Sequence, residues 1–140
     1  MSAAAFYLPP ILALTALSFT VALMILVSRF SEILKGERPA AFFEDFDGFG
    51  ASAFVMRPTR QLANLFEFPT LLYAAVAILV GSGLEDLWLL WLCWFYASLR
   101  WAHAMSHLFL NRLWLRTPVF MAGNLVLLAI WVRMSMIVLA

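Results

Sequence analysis

Polar residues interrupt this chain rarely and in clusters, and the apolar runs between them have the length of a bilayer core. Residues 1–28 carry no charge, and after Pro9 and Pro10 the run Ile11 to Val27 predicts a first spanning helix over about 8–28, with the prolines in its first turn. A second span is predicted over about 59–82, opened by Pro58 and closed by Gly81 and Gly83, a third over about 87–109 and a fourth over about 118–139. The connections 83–86 and 111–117 are short, so helices 2, 3 and 4 must be antiparallel neighbours. The segment 29–57 is the one long stretch outside the spans. It interleaves Phe42, Phe43, Phe46, Phe49 and Phe54 with Glu44, Asp45 and Asp47. This pattern fits a segment lying among lipid headgroups, and equally a solvated loop whose aromatics cover helix ends.

Composition sharpens the picture. The 140 residues are 65% hydrophobic and 12% charged, with a mean hydropathy of +0.94. These values mark an all-α membrane protein, one domain over 1–140, a four-helix antiparallel bundle. A formal charge of +1 leaves no basic surface for nucleic acid. The single Cys93 makes no intrachain disulfide, and no Cys/His spacing fits a metal site. Arg29 follows the first apolar run and nothing basic precedes it, which reads as a retained helix and not a cleaved signal. Arg29, Lys35, Arg38, Arg57 and Arg60 flank the first connection and Arg112 and Arg116 sit in the third. The positive-inside rule then puts those loops in the cytoplasm and both termini on the non-cytoplasmic side, periplasmic or lumenal.

Two charged side chains fall deep inside predicted spans, Glu67 and Arg100, where each costs a few kcal/mol unless paired and turned inward. Arg60, Asn64 and Glu67 recur at i, i+4 and i+7; Arg100, His103 and His107 recur at i, i+3 and i+7, so each set occupies one helical face. Glu67 lies about 10 Å past Arg60, and Arg100 roughly 15 Å back from the basic end of helix 3, at 1.5 Å per residue. Antiparallel packing therefore sets Glu67 against Arg100, Asn64 against His103 and Arg60 against His107, with Arg116 and Thr117 where helix 4 begins. A Glu67–Arg100 pair would by itself fix helix register. One carboxylate cannot neutralise Arg60, Arg100 and Arg116, however, and the surplus of cations points to an anionic ligand in a cytoplasm-facing cleft.

The segment Arg60-Gln61-Leu62-Ala63-Asn64-Leu65-Phe66-Glu67, followed by Pro69, resembles the R-x-x-x-N-x-x-E signature of the MAPEG superfamily, the membrane-associated proteins of eicosanoid and glutathione metabolism. Arg100-Trp101-Ala102-His103 resembles its R-x-x-H, and Arg116-Thr117 stands where glutathione-using members carry arginine and a small hydroxyl residue. The resemblance implies a homotrimer of four-helix bundles, of bacterial type and in a bacterial inner membrane, with glutathione as co-substrate and no metal. Asn64 and Glu67 would hold its backbone and amino group. Arg60 and Arg100 would line the site, His103 would support them, and Arg29 would bind a carboxylate. Arg116 would act beside the thiol, lowering its pKa. His107 stands where the eicosanoid enzymes have a tyrosine, and Ala63 where a basic residue is frequent.

The function expected on this basis is a glutathione transferase or peroxidase-like enzyme acting on a lipophilic electrophile from the bilayer. The alternatives are a non-catalytic lipid-binding or scaffold member of the same superfamily, and a small proton-coupled transporter using Glu67. Cys93 is expected to be an inert packing residue, Pro69 to kink helix 2, and Trp88, Trp91 and Trp131 to be interface or packing aromatics. Arg133 is expected to snorkel to the outer surface.

Overall fold

The computed structural model describes residues 2–44, 46, 48–110 and 112–139, so Asp45, Asp47 and Asn111 of the predicted loops lie outside the described residues. Among those described there are four helical rods and no strand. The first is α1 (Ala3–Leu34). The second is broken into α2 (Ala53–Phe66) and α3 (Pro69–Ser82). The third is α4 (Leu87–Met105), continued by a π-helical turn at Ser106–Leu110, and the fourth is α5 (Leu113–Val138).

The rods start earlier than the prolines predict. α1 begins at Ala3 because Ser2 caps it, its Oγ accepting the Ala5 N–H at 3.3 Å, and Pro9 and Pro10 lie inside the helix. α2 begins at Ala53 because the Ser52 Oγ accepts the Val55 N–H, leaving Pro58 internal. α5 begins at Leu113, so Pro118 is internal and the 111–117 connection shrinks. Each of these prolines forfeits one backbone bond within the first two or three turns, which packing and capping outweigh. At Pro69 the helix does break. The ring cannot donate to the Leu65 carbonyl and crowds it; α2 ends at Phe66, and Glu67 takes φ −83° and ψ −94° outside either helix. The Glu67 carbonyl is met instead by the Thr70 hydroxyl. α3 ends at Gly83, whose φ of 69° is the left-handed turn a glycine makes without Cβ strain.

α4 packs most extensively on α5, and α1 lies against α2, α3 and α4. Leu14, Leu72, Leu79, Leu89, Tyr96, Leu127 and Ile130 build the main core. A smaller cluster of Leu17, Val21, Leu65 and Ala104 closes the bundle nearer the basic loops. α1, the α2–α3 rod and α5 are long and apolar enough to cross a membrane. α4 is not among them, since Arg100, His103 and its tryptophans lower its hydropathy. Cys93 is fully buried in the core.

The two ends differ in chemistry. At the end holding both termini, Tyr7 Oη accepts the Asp86 N–H at 3.0 Å, Asp86 caps α4 through the Leu89 N–H at 2.8 Å, and Arg133 pairs with Asp86 at 2.7 Å. Arg133 therefore has a definite partner and does more than snorkel. At the other end, the aromatic loop folds into a cluster of Phe42, Phe43 and Phe46. The Arg29 guanidinium lies 4.6 Å from the Phe46 ring centre, and that of Arg38 lies 4.9 Å from Phe42.

Burial disfavours the Asp86 carboxylate, but the hydrogen bond from Arg133, the Leu89 N–H and the Arg133 charge outweigh it and hold its pKa below the ordinary 3.8. A depressed folded-state pKa means that this stability is present above the unfolded value and is lost as pH falls through the folded one. Asp86→Asn keeps the cap acceptor and should lower stability at neutral pH by only about 0.2–1 kcal/mol, whereas Asp86→Ala also loses the cap, about 1 kcal/mol more. Thermal unfolding in detergent checks both, and the gap between wild type and Asp86→Asn should close on acidification.

Candidate functional site

Between α2, the π turn and the start of α5 lies a cleft of about 420 Å³. α2 contributes Arg60, Ala63 and Asn64 at helical spacing, α4 and the π turn contribute His103 and His107, and α5 contributes Arg116, Thr117 and Phe120. The three polar stripes expected from the sequence therefore meet. Two guanidinium groups line the cleft, and no carboxylate lines it among the described residues.

The histidines form its floor. Both are about 3% exposed, and their rings lie 6.0 Å apart. His103 Nδ1 lies 3.4 Å from the Arg116 carbonyl, which ties the α4 end to the first turn of α5. His103 Nε2 and His107 Nδ1 are buried with no hydrogen-bond partner among the described residues. A buried polar atom left bare costs about 1–3 kcal/mol, so this floor favours a ligand or water that completes it.

Arg100 is in a different place. Only 1% exposed, it lies behind Phe120, 5.0 Å from that ring centre and 4.8 Å from Tyr96. Its Nη2 donates to Asn124 Oδ1 at 2.5 Å. A Cβ at Gly123 would stand 3.7 Å from the same guanidinium, so α5 meets Arg100 with a side-chain-free surface. The expected Glu67–Arg100 pair is not formed. The break before Pro69 ends the register of α2 at Phe66, so Glu67 leaves the face that carries Arg60 and Asn64 and is exposed at the break. Arg29 lies over the Phe43 and Phe46 rings and is not part of the cleft lining.

Asn124 was missed from the sequence, yet it left a signal. It is a lone amide in an apolar span, on the face of Arg116 and Phe120 at i, i+4 and i+8.

A family comparison agrees with the whole arrangement. The family model for MAPEG matches residues 7–136, nearly the entire chain. The protein belongs to the MAPEG family. No curated protein and no solved structure matches it. In this MAPEG chain, the arginine and asparagine of the α2 motif and the histidine of the α4 motif face one cleft, while the arginine of the α4 motif is held behind it.

Asn124→Ala removes the one hydrogen-bond acceptor printed on a buried cation by the bundle and should cost about 1.5–3 kcal/mol, read as a lowered melting temperature in detergent. Asn124→Asp, which supplies a full carboxylate at the same place, should retain or raise stability.

Proposed function

We propose that this protein is a four-span membrane protein, with α4 and its π turn as the fourth span, which binds glutathione or a related thiol in the cationic cleft. It joins the thiol to a lipophilic electrophile from the bilayer, or uses it to reduce one. The observation that carries this reading is a cleft lined by Arg60 and Arg116 with no described carboxylate to neutralise them. Glutathione brings two carboxylates, and a volume of about 420 Å³ lies within the usual range for small-molecule pockets. Arg60 and Asn64 are suited to its carboxylate and peptide groups. Arg116 favours the thiolate over the thiol beside it. In conjugation the thiol proton leaves to water or to His107, the thiolate forms a C–S bond, and the electron pair of the breaking bond departs with the leaving atom. In reduction a second thiol completes a disulfide.

The exposed polar groups on the second rod support a homotrimer. Arg60, Glu67 and Thr70 are exposed on a rod long and apolar enough to span a membrane, and a charge facing lipid is costly. A neighbouring copy would cover them and bring Glu67 to the cleft edge. The clustering of Lys and Arg at the loop end supports both termini lying outside the cytoplasm, in a bacterial inner membrane. A proton-coupled transporter needs a carboxylate on its passage, and the described lining of the cleft has none. A non-catalytic lipid-binding or scaffold role is favoured by one feature, His107 in place of a tyrosine.

The test is calorimetric titration of glutathione into the detergent-purified protein, with thiolate followed by ultraviolet absorbance. Arg60→Ala should weaken binding about tenfold. Arg116→Ala should largely keep binding but lose the thiolate at neutral pH and slow conjugation about tenfold for each unit by which the thiol pKa rises. No saturable binding, together with an unchanged rate in Arg116→Ala, would refute the reading.

A further inference from the structure

A second hollow, of about 520 Å³, lies on the other side of the π turn. Leu23 and Val27 of α1, Phe54 of α2, and Leu108 and Phe109 of the turn form its walls. Leu23, Val27, Phe54 and Phe109 are each more than half exposed, so this is a groove open to the outside of the bundle and not a void in its core. Its far end is apolar in effect as well as in composition, because the Thr20 hydroxyl donates to the Ala16 carbonyl of its own helix at 2.8 Å. From Thr20 to Val27 the groove runs for about 10 Å along α1. That is a channel for a hydrocarbon chain.

One charged residue lines it, Arg57. The Glu32–Ser52 hydrogen bond pins α2 against the end of α1, which puts Arg57 at the groove end nearer the basic loops with Arg29, Lys35 and Arg38. The guanidinium is poorly satisfied. Nη1 reaches the Leu108 carbonyl only at 3.4 Å, and Nε is buried with no hydrogen-bond partner among the described residues. A half-buried guanidinium at one end of an apolar channel calls for an acceptor that carries a chain, and its planar fork matches a phosphate.

We propose that the groove is a binding site for an anionic phospholipid of the leaflet on the basic side, with one acyl chain along α1 and the phosphate on Arg57. Charge complementarity favours this occupant. A chain without an acidic head leaves Nε bare, and a zwitterionic head brings its own cation to a region already holding Arg29, Lys35 and Arg38. The site is separate from the thiol cleft. His107 faces the cleft while the next two residues, Leu108 and Phe109, face the groove. A lipid seated there braces the turn from the other side.

The experiment is native mass spectrometry of the full-length protein released from phosphatidylcholine vesicles doped with phosphatidylglycerol, with glutathione titrated into the same preparations. Wild type should retain phosphatidylglycerol over phosphatidylcholine by roughly tenfold. Arg57→Gln should bring that ratio close to one, Arg57→Lys should keep most of it, and Val27→Trp, which fills the groove, should lose both lipids. Glutathione affinity should be unchanged in Arg57→Gln, so that loss of the lipid site and failure of the thiol reading are seen separately. An undiminished preference in Arg57→Gln, or full retention in Val27→Trp, overturns the proposal. So does displacement of phosphatidylglycerol by added oleate that is itself retained. Efficient disulfide cross-linking of Leu23→Cys between copies also overturns it, by placing a second copy of the chain in the groove.

Discussion

A guanidinium buried beside an amide and two rings, with no described carboxylate on it, is the constraint around which this bundle is arranged. Arg100 cannot shed its charge, and in an apolar interior its field is weakly screened. Asn124 must be an acceptor on the facing turn of α5, Gly123 must leave the surface flat, and Phe120 and Tyr96 must present ring faces. Phe120 also lines the cleft, so the charge lies one ring away from the space where Arg60 and Arg116 stand. The positive character of the cleft therefore has a layer in the lining and another behind it.

Much of this was legible in the sequence because charge in an apolar run is rare and periodic. Arg60 with Asn64, His103 with His107, and Arg116 with Thr117 could be placed on faces by counting, and they do converge. What failed was reasoning that needed the exact course of a helix. The i, i+7 step from Arg60 to Glu67 assumes an unbroken helix, and Pro69 breaks it within that step. The partner of Arg100 was sought among carboxylates, since opposite charges attract, whereas the fold uses a neutral amide from the fourth rod.

The prolines teach the same lesson from the other direction. Pro9, Pro10, Pro58 and Pro118 look like first-turn residues, yet serine caps at Ser2 and Ser52 and the tight entry at Arg112 start the helices sooner. Loss of a single backbone bond near a helix end is a small perturbation beside the burial of a whole apolar face. The proline that matters is Pro69, in mid-rod, where carbonyls on both sides need new partners. The Asp86–Arg133 pair also escaped a linear reading, because its members are far apart in sequence and meet only when α5 returns beside the 83–86 turn.

The π turn at Ser106–Leu110 divides two surfaces of opposite character between consecutive residues. Such a turn accommodates one residue more than the α-helical turn it replaces. Excising a single residue there would leave every functional group in the chain yet swing those that follow by about 100° around the axis, exchanging what each side presents. Over this stretch the number of residues is therefore under tighter constraint than their identities. A one-position gap in an alignment at this turn would mark a change of specificity that no substitution score records.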